Sequence, residues 1–248
     1  MDGIGAEIHG GIPREGPGNT VSTRQAFLML KDLPDDAAIL DVGSGPGMQT
    51  LEIAKMCRGT VTAVDTDAGF LAELAQRASD AGLSERIHAV QASMFDMPFE
   101  DSSFDLIWSE GAIYIIGFKE GLQAWGKYLK RGGYIAVTHI SWLRSQIPEE
   151  PRAFWNEAYP KGLLSIDDNL KIATEAGFRE VGHFTLPESA WWDDYYTPLE
   201  QKLPPLREKY AGNPAAIGRV EQTQREIDLY RKYADCYGYV FYVLQRTA

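Results

Sequence analysis

The stretch from Ile39 to Thr50, which reads I-L-D-V-G-S-G-P-G-M-Q-T, constrains the fold more than any other part of the chain. A short apolar run ends in three glycines, Gly43, Gly45 and Gly47, and helix-compatible residues continue to Met56. This pattern predicts a buried parallel strand, a tight turn and the start of a helix. Glycine is needed where the backbone turns with positive φ or touches a ligand. A helix N-terminus also presents free N–H groups to whatever lies above the turn.

The spacing of these glycines separates two classes of cofactor. The dinucleotide fingerprint is G-x-G-x-x-G, whereas the third glycine here comes one residue earlier. The pattern D-x-G-x-G-x-G, with Asp41 two residues before Gly43, resembles motif I of class I S-adenosylmethionine-dependent methyltransferases. The resemblance implies that the loop lies under the methionine part of the cofactor, with Asp41 near the ammonium group. The plainer alternative is an ordinary glycine-rich turn.

Composition bounds the class of protein. The chain has 248 residues, 44% of them hydrophobic, and a net charge of −11 without a basic run, which argues against nucleic acid as a partner. Cys57 and Cys236 form no C-x-x-C and are interpreted as reduced packing residues, without a metal. The start at Met1 shows no signal peptide, and no apolar stretch approaches the ~20 residues that span a bilayer. We therefore expect one cytoplasmic domain over residues 1–248 with no membrane partner.

Residues 1–31 are predicted to form an N-terminal cap, a loop followed by a helix. The glycine-rich loop ends in the turn Gly16-Pro17-Gly18, and an apolar stripe between Thr20 and Leu30 could dock a helix on the sheet. A mobile leader is the alternative. Since an N-terminal helix over the cofactor cleft is common in methyltransferases, the resemblance implies that Gly16 and Gly18 approach the site.

The second predicted strand, residues 60–64, ends at Asp65, which lies 22 residues after Gly43. A carboxylate there can accept hydrogen bonds from two ribose hydroxyls. Both cofactor classes use an acid at this place, so Asp65 indicates a nucleoside without choosing between them. The alternative is a plain helix cap for residues 67–82.

A third strand, residues 86–91, leads into Ala92 to Phe99, which resembles a stretch of ubiquinone-biosynthesis-type methyltransferases. In that family an acid six residues before the phenylalanine binds the adenine amino group. Ser93 stands at this position and departs from the pattern. Ser93 or the Met94 backbone could replace the acid, with the Met94 side chain against the ring. Core packing of Met94 and Phe95 is the alternative.

The fourth predicted strand, Phe104 to Glu110, resembles motif IV, which ends beside the transferred methyl group. Ligands of open α/β sheets bind beyond the carboxyl ends of the strands, so Glu110 and Tyr114 are expected to face the substrate. Glu110 could take a proton from the acceptor or pair with a cationic amine; a structural hydrogen bond is its alternative. His139, near the end of the fifth strand (134–140), is either a core histidine or a site residue.

Residues 187–236 separate a sixth strand (180–186) from the final strand (237–245) and are predicted to form a helical lid. Aromatic residues open this insertion, at positions 191–196. They are either packing residues, the more frequent role, or faces for an ammonium-bearing substrate. We expect a Rossmann-like α/β fold with a seven-stranded, mostly parallel sheet, helices on both faces, and the last strand antiparallel at the end of the sheet. The Lys130-to-Gly133 run is expected to end a helix.

The resemblance covers nearly the whole chain. Trp108 to Phe118, the Gly16 to Gly18 turn and Tyr237 to Phe241 look like a group of small-molecule methyltransferases without an assigned substrate. It implies methyl transfer from S-adenosylmethionine to an O, N or C atom of a small molecule. A homodimer is a possible assembly, which the sequence does not decide. The rivals are a non-catalytic S-adenosylmethionine-binding sensor or partner protein and an NAD-dependent oxidoreductase.

The same resemblance yields the candidate residues. The candidate catalytic residues are Glu110, Tyr114 and His139. The candidate cofactor-binding residues are Asp41, Gly43, Ser44, Gly45, Gly47, Gln49, Thr50, Asp65, Thr66, Ser93, Met94, Ser109, Gly16 and Gly18.

Overall fold

The structure of the protein is a computed structural model that describes residues 3–159 and 162–247. Residues 1 and 2 of the predicted cap, and with them the N-terminus considered for a signal peptide, lie outside the described residues. The strands are β1 Ala38–Val42, β2 Thr60–Asp65, β3 Ile87–Gln91, β4 Phe104–Ser109, β5 Leu129–Trp142, β6 Phe178–Thr185 and β7 Tyr237–Arg246.

These strands form one seven-stranded sheet across the described part of the chain, in the order β3-β2-β1-β4-β5-β7-β6. The pairs among β1 to β5 are parallel, and β7 is antiparallel to both β5 and β6. The order reverses between β1 and β4, which opens a crevice at the carboxyl ends of these strands. The predicted Rossmann-like fold with an antiparallel last strand is confirmed.

Helices surround this sheet. They are α1 Gly3–His9, α2 Thr20–Phe27, α3 Met48–Met56, α4 Ala68–Asp80, α5 Phe118–Gly126, α6 Glu149–Ala158, α7 Ile166–Glu175, α8 Ser189–Trp191, α9 Thr197–Lys209 and α10 Pro214–Tyr233. A 3₁₀ turn, Ile113–Ile115, follows β4, and a π-helical turn, Trp192–Tyr196, follows α8. Two hydrophobic clusters fill the space between sheet and helices, one containing Trp108 and Phe241 and the other Val42 and Trp125.

The position of β7 corrects one prediction. We expected the last strand at the end of the sheet, but β7 lies between β5 and β6, and β6 forms the edge. Burial explains this order. The first eight residues of β7 are all buried, as in a strand covered on both faces, whereas exposed and partly exposed residues dominate β6 after Phe178.

The prediction for Lys130 to Gly133 is wrong. Helix α5 ends at Gly126, and the basic pair and the glycines lie inside the long strand β5. Leu129 already pairs with Phe104 of β4, and the register shifts between Phe104 and Leu106. Gly132, at φ +74°, lies opposite this irregularity, so the glycines allow β5 to bend rather than end a helix.

The helices between β6 and β7 pack as part of the main core. Leu203 of α9 and Val220 and Ile227 of α10 are fully buried, in the same cluster as Ile8 and Ile12 of the N-terminal segment. Hydrogen bonds link the insertion to that segment: Lys202 Nζ donates to the Gly10 carbonyl, the Gly18 N–H donates to the Ala190 carbonyl, and Lys209 Nζ and Tyr210 Oη donate to the Glu7 carboxylate. The insertion therefore supports the N-terminal segment from behind.

No helix within residues 3–159 and 162–247 combines the length and the apolar character that crossing a bilayer requires.

Candidate functional site

A cavity of about 550 Å³ opens at the carboxyl ends of β1, β2 and β4. Its volume falls within the roughly 300–1,000 Å³ typical of small-molecule sites. Residues that line it belong to the glycine-rich loop, the ends of β2, β3 and β4, and the N-terminal segment: His9, 13–17, 43–46, 48–49, 64–67, Phe70, 92–95, 110–112 and 114–115.

The three glycines of the loop are required for different structural reasons. All three have positive φ, at +71° for Gly43, +53° for Gly45 and +85° for Gly47. A Cβ on Gly43 would lie 2.4 Å from Ala112 Cβ, whereas one on Gly45 would point into open space. A Cβ on Gly47 would lie 2.1 Å from Leu74 Cδ1, because α3 packs there against α4. Gly43 and Gly45 therefore shape the cavity, and Gly47 serves helix packing outside its lining.

Asp41 lies fully buried beneath this loop. Its Oδ2 accepts hydrogen bonds from Thr50 Oγ1 at 2.6 Å and from Gln49 Nε2 at 3.2 Å. Its Oδ1 has no hydrogen-bond partner in the described part of the chain. Burial raises the pKa of Asp41 to about 7. A buried acceptor of this kind is satisfied by a ligand that carries N–H donors.

Asp65 joins the end of β2 to the glycine-rich loop. Its Oδ2 accepts from the Gly45 N–H at 2.8 Å, and its Oδ1 accepts from the Asp67 N–H at 3.0 Å. Helix α4 is capped by Asp67, whose Oδ1 accepts from Gly69 and Phe70 N–H groups, so Asp65 is not the cap. An ionised carboxylate has about four acceptor sites. Asp65 thus keeps capacity for hydroxyl groups in the cavity.

The turn after β3 brings Ser93, Met94 and Phe95 to the cavity. Ser93 Oγ accepts from the Phe95 N–H at 3.3 Å, and the Met94 carbonyl accepts from Trp125 Nε1 at 3.0 Å. Phe95 is 64% exposed, so core packing does not explain it. Met94 and Phe95 give this end of the cavity the apolar surface that a flat ring requires.

The Glu110 carboxylate is held by three donors. Arg14 Nη1 donates to its Oε2 at 2.9 Å, and Thr23 Oγ1 and Trp108 Nε1 donate to its Oε1 at 2.7 and 3.0 Å. The ion pair is buried, with exposed side-chain fractions of 6% for Arg14 and 3% for Glu110. The structural hydrogen bond that we considered as the alternative role of Glu110 is therefore present, and Arg14 provides the charge partner.

Arg14 is the main residue that sequence reasoning missed. Its Nε and Nη2 are buried and have no hydrogen-bond partner within the described residues, although Arg14 lines the cavity. A Cβ on Gly18 would lie 2.7 Å from Arg14 Nη1, so a glycine at 18 leaves room for the ion pair. Gly18 does not line the cavity itself, whereas Gly16 does.

The structure divides the predicted residues into two groups. On the cavity lie Gly16, Gly43, Ser44, Gly45, Gln49, Asp65, Thr66, Ser93, Met94, Glu110 and Tyr114. Behind the lining lie Gly18, Asp41, Gly47, Thr50, Ser109 and His139. Ser109 Oγ donates to the Val42 carbonyl at 2.9 Å and ties β4 to β1. His139 stacks on Phe118 with centroids 5.0 Å apart, and burial lowers its pKa to about 4, as for a core histidine.

Residues 39–133 match the methyltransferase-domain family. This span holds the glycine-rich loop, Asp65, the 92–95 turn and β4, which together form most of the cavity. Over these residues the chain is a methyltransferase domain of the S-adenosylmethionine-dependent class. Its cofactor is S-adenosylmethionine.

Relatives of this methyltransferase differ in what their names say they methylate. The chain is 24% identical to (+)-O-methylkolavelool synthase of Herpetosiphon aurantiacus, over 84% of this chain and 73% of that protein. It is 32% identical to malonyl-[acyl-carrier protein] O-methyltransferase of Enterobacter lignolyticus, over 55% of this chain and 52% of that protein. The family therefore leaves the acceptor open.

The fold is shared over the whole length with a solved structure. A methyltransferase from Geobacter sulfurreducens, crystallised with S-adenosyl-L-homocysteine, superposes with a TM-score of 0.83 at 18% identity and covers 98% of both chains. At that identity the similarity concerns the fold, and the site must be interpreted from this chain's own residues.

The groups around the cavity fit S-adenosylmethionine. The cofactor carries an ammonium, a carboxylate, a ribose and an adenine ring. The unpaired Asp41 Oδ1 suits the ammonium, and the two unpaired nitrogens of Arg14, Nε and Nη2, suit the carboxylate. Asp65 suits the ribose hydroxyls, and the Met94 and Phe95 side chains offer surface for the ring.

Glu15 and His9 also line the cavity, and sequence reasoning missed both. Burial raises the pKa of Glu15 to about 7 and lowers that of His9. The nearby Asp65 and Asp67 raise the Glu15 pKa further. The sequence contains one indication for these residues, which is that they lie close to the Gly16 turn in the chain. A loop has no periodic pattern from which the direction of a side chain can be predicted.

Proposed function

We propose that this methyltransferase transfers the methyl group of S-adenosylmethionine to a small molecule. The observation that carries the proposal is the wall formed by residues 13–17, which lies on the cofactor cavity and is backed by the helices inserted before β7. An acceptor must enter beside this wall, past Tyr114 and Ile115, which are 43% and 53% exposed. The net charge of −11 also supports a small-molecule acceptor, because it disfavours binding of a polyanion such as RNA.

The binding residues take separate roles in the proposal. Asp41 holds the ammonium group, Arg14 holds the carboxylate, and Asp65 holds the ribose. The buried Glu110 keeps Arg14 in place, since the guanidinium is fixed through one nitrogen and presents the other two. Bound S-adenosylmethionine supplies a methyl group on a positively charged sulfur.

The chain's contribution to the reaction is mainly positional. Holding two reactants in line can supply about 7–11 kcal/mol through proximity alone. Glu110 is engaged by three donors, and we therefore assign it to orienting Arg14 instead of accepting a proton. Burial raises the pKa of Tyr114, so its hydroxyl stays protonated at neutral pH and contacts the acceptor as a hydrogen-bonding group.

Glu15 is the carboxyl that suits proton transfer at neutral pH. Its pKa of about 7 allows it to accept a proton from an acidic acceptor and release it again to solvent. His139 takes no part in this proposal, because it is packed behind the cavity against Phe118.

The test uses purified protein, S-adenosylmethionine labelled in the methyl group, and cell extract separated by size. We expect label in the metabolite fraction that depends on the protein. Label in the protein or RNA fraction would contradict the small-molecule proposal and leave the cofactor assignment intact. An Asp41→Asn variant is the control, because loss of cofactor binding should remove label from every fraction.

A further inference from the structure

The Glu226 carboxylate of α10 is an acidic group that the proposed methyl transfer has not used. Its Oε1 accepts a hydrogen bond from Tyr196 Oη at 2.9 Å, and no basic side chain within the described residues forms an ion pair with it. Burial raises the pKa of Glu226. A carboxylate with little access to water is normally paired with a cation, and partly exposed Glu226 has none among the described residues.

Other acids of the inserted helices show the contrast. Glu221 of α10 pairs with Arg207 at 2.7 Å, and Glu200 of α9 pairs with Arg231 at 2.9 Å. Both are substantially exposed, at 53% and 39% of the side chain. These two acids have a cation beside them and water around them, whereas Glu226 has no cation among the described residues and is only partly exposed.

Ring contacts connect Glu226 to tyrosines from separate parts of the chain. Tyr196, which donates to Glu226, stacks on Tyr195 with centroids 5.1 Å apart and packs against Trp191 at 5.5 Å. Trp191 in turn meets Tyr237 and Tyr239 of β7 at 6.4 and 5.3 Å, and Trp155 meets Tyr237 and Tyr159, which follows α6, at 5.2 and 5.8 Å. The tyrosine cluster consists of Tyr114, Tyr159, Tyr195, Tyr196, Tyr237 and Tyr239, and burial raises the pKa of each, with the charge of Glu226 as a further cause.

This tyrosine cluster adjoins the cofactor cavity at two points. Tyr114 lines the cavity, and its ring meets that of Tyr159 with centroids 6.0 Å apart. His9 lines the cavity as well, and its ring stacks on Tyr195 at 6.2 Å. A molecule held at the cluster would therefore lie next to the bound cofactor.

A carboxylate surrounded by aromatic rings is suited to a positively charged nitrogen. The carboxylate supplies the opposite charge, and the electron-rich ring faces attract a cation even after it has lost water. A neutral ligand would leave the Glu226 charge unpaired. A phosphate or carboxylate group at this place would face like-charge repulsion.

We propose that Glu226 and the surrounding tyrosines bind the methyl acceptor, and that the acceptor carries an amine or quaternary ammonium group. The inference rests on the proposed methyltransferase function and adds the chemical class of its substrate. It leaves open which acceptor atom receives the methyl group, because the cationic nitrogen is the recognised group in either case.

The experiment compares choline with its uncharged isostere 3,3-dimethyl-1-butanol. Both are titrated by calorimetry into protein saturated with S-adenosylhomocysteine. Choline should bind at least about tenfold more tightly than the alcohol, since the two differ only in charge. Glu226→Gln should weaken choline binding by about tenfold and leave the affinity for S-adenosylhomocysteine unchanged.

Matched variants separate recognition from folding. Glu221→Gln removes an acid of the same helix that already has a cation, and it should change neither affinity. Tyr159→Phe keeps the ring and should keep choline binding, whereas Tyr159→Leu removes the ring and should weaken it. This pair tests the ring face without touching the carboxylate.

Equal affinity for choline and the alcohol, or unchanged choline binding in Glu226→Gln, would overturn the inference. If S-adenosylhomocysteine binds but choline binds no more tightly than the alcohol, only the proposed substrate class is wrong. If S-adenosylhomocysteine itself does not bind, the proposed function fails, and the inference fails with it.

Discussion

At the level of single side chains, the ion pair between Arg14 and Glu110 changes the role that motif position assigns to Glu110. Its place after β4 favours a group that faces the substrate, and it does line the cavity. Three donors nevertheless occupy its two oxygens, and Arg14 uses one nitrogen to hold it. We propose that this acid acts on the cofactor through Arg14.

Glu110→Gln should therefore impair cofactor binding more than chemistry. The amide still accepts hydrogen bonds but leaves the buried Arg14 charge uncompensated, which costs on the order of 3 kcal/mol of stability. We expect the KM for S-adenosylmethionine to rise at least about tenfold while kcat keeps its pH profile. Steady-state kinetics over a pH series measures both. A fall in kcat with loss of its rising limb would show that Glu110 is a general base.

Asp41 should make the stability of the cofactor-free protein depend on pH. Its folded pKa of about 7 lies above the unfolded value of about 3.9. Between these values the folded protein keeps a proton that the unfolded chain has released, so the free energy of unfolding falls as pH rises and levels off above about 7. Asp41→Asn should flatten this slope, stabilise the free protein at pH 8 and weaken cofactor binding.

Denaturant unfolding at pH 5, 6, 7 and 8 measures the slope, and calorimetry measures the affinity. Glu15, with a pKa also near 7, contributes in the same direction over the same window. Glu15→Gln is therefore the matched variant, and the double variant should be flatter than either single one. If the pH dependence of the free energy of unfolding is unchanged in Asp41→Asn, burial does not raise the pKa of Asp41 as described.

At the level of elements, the glycine-rich loop couples a ligand site to helix packing. Gly43 and Gly45 serve the cavity, whereas Gly47 allows α3 to approach Leu74 of α4. One short motif thus satisfies two separate demands, and substitutions can separate them.

Gly47→Ala should destabilise the protein without changing the cofactor affinity of the folded fraction. Its positive φ costs about 1–2 kcal/mol for a residue with a Cβ, and the overlap with Leu74 adds about 1–3 kcal/mol. Gly82→Ala is the control, since Gly82 has a φ of +69° but open space around an added Cβ. Unfolding curves should show a larger decrease in the free energy of unfolding for Gly47→Ala than for Gly82→Ala. Equal losses would exclude the packing contribution.

Local patterns predicted the first half of the sheet well, because each βα unit contains its own signals. Strand β1, helix α3 and Asp65 lie where the glycine motif and the apolar runs place them. Patterns failed where the answer depends on distant residues. The neighbours of β7 follow from burial on both faces, and the partner of Glu110 is 96 positions away in the chain. The spacing of residues within one segment predicts neither the neighbours of β7 nor the partner of Glu110.

At the scale of the whole molecule, the net charge of −11 acts on the cofactor and its product differently. S-adenosylmethionine has one more positive charge than S-adenosylhomocysteine, because methyl transfer removes the charge on sulfur. A negative protein field favours the charged form and releases the neutral one more readily.

Binding of S-adenosylmethionine should therefore weaken with salt more than binding of S-adenosylhomocysteine. We expect a difference of roughly two- to fivefold between about 0.02 and 0.5 M salt, because added ions screen the field of the protein. Calorimetric titration of both ligands at matched salt concentrations measures it. Parallel salt dependences would show that only local contacts distinguish the two ligands.

Strand β7 also determines when the edges of strands β5 and β6 become paired during synthesis. The ribosome makes β6 before β7, yet among the described strands β6 pairs with β7 alone, and β7 pairs with β5 on its other side. Until residues 237–246 emerge, the nascent chain holds the open edge of β5 and an unpaired β6. Such edges are templates for aggregation. Yield in the cell should accordingly depend on chaperones that shield this edge while residues 143–236 are translated.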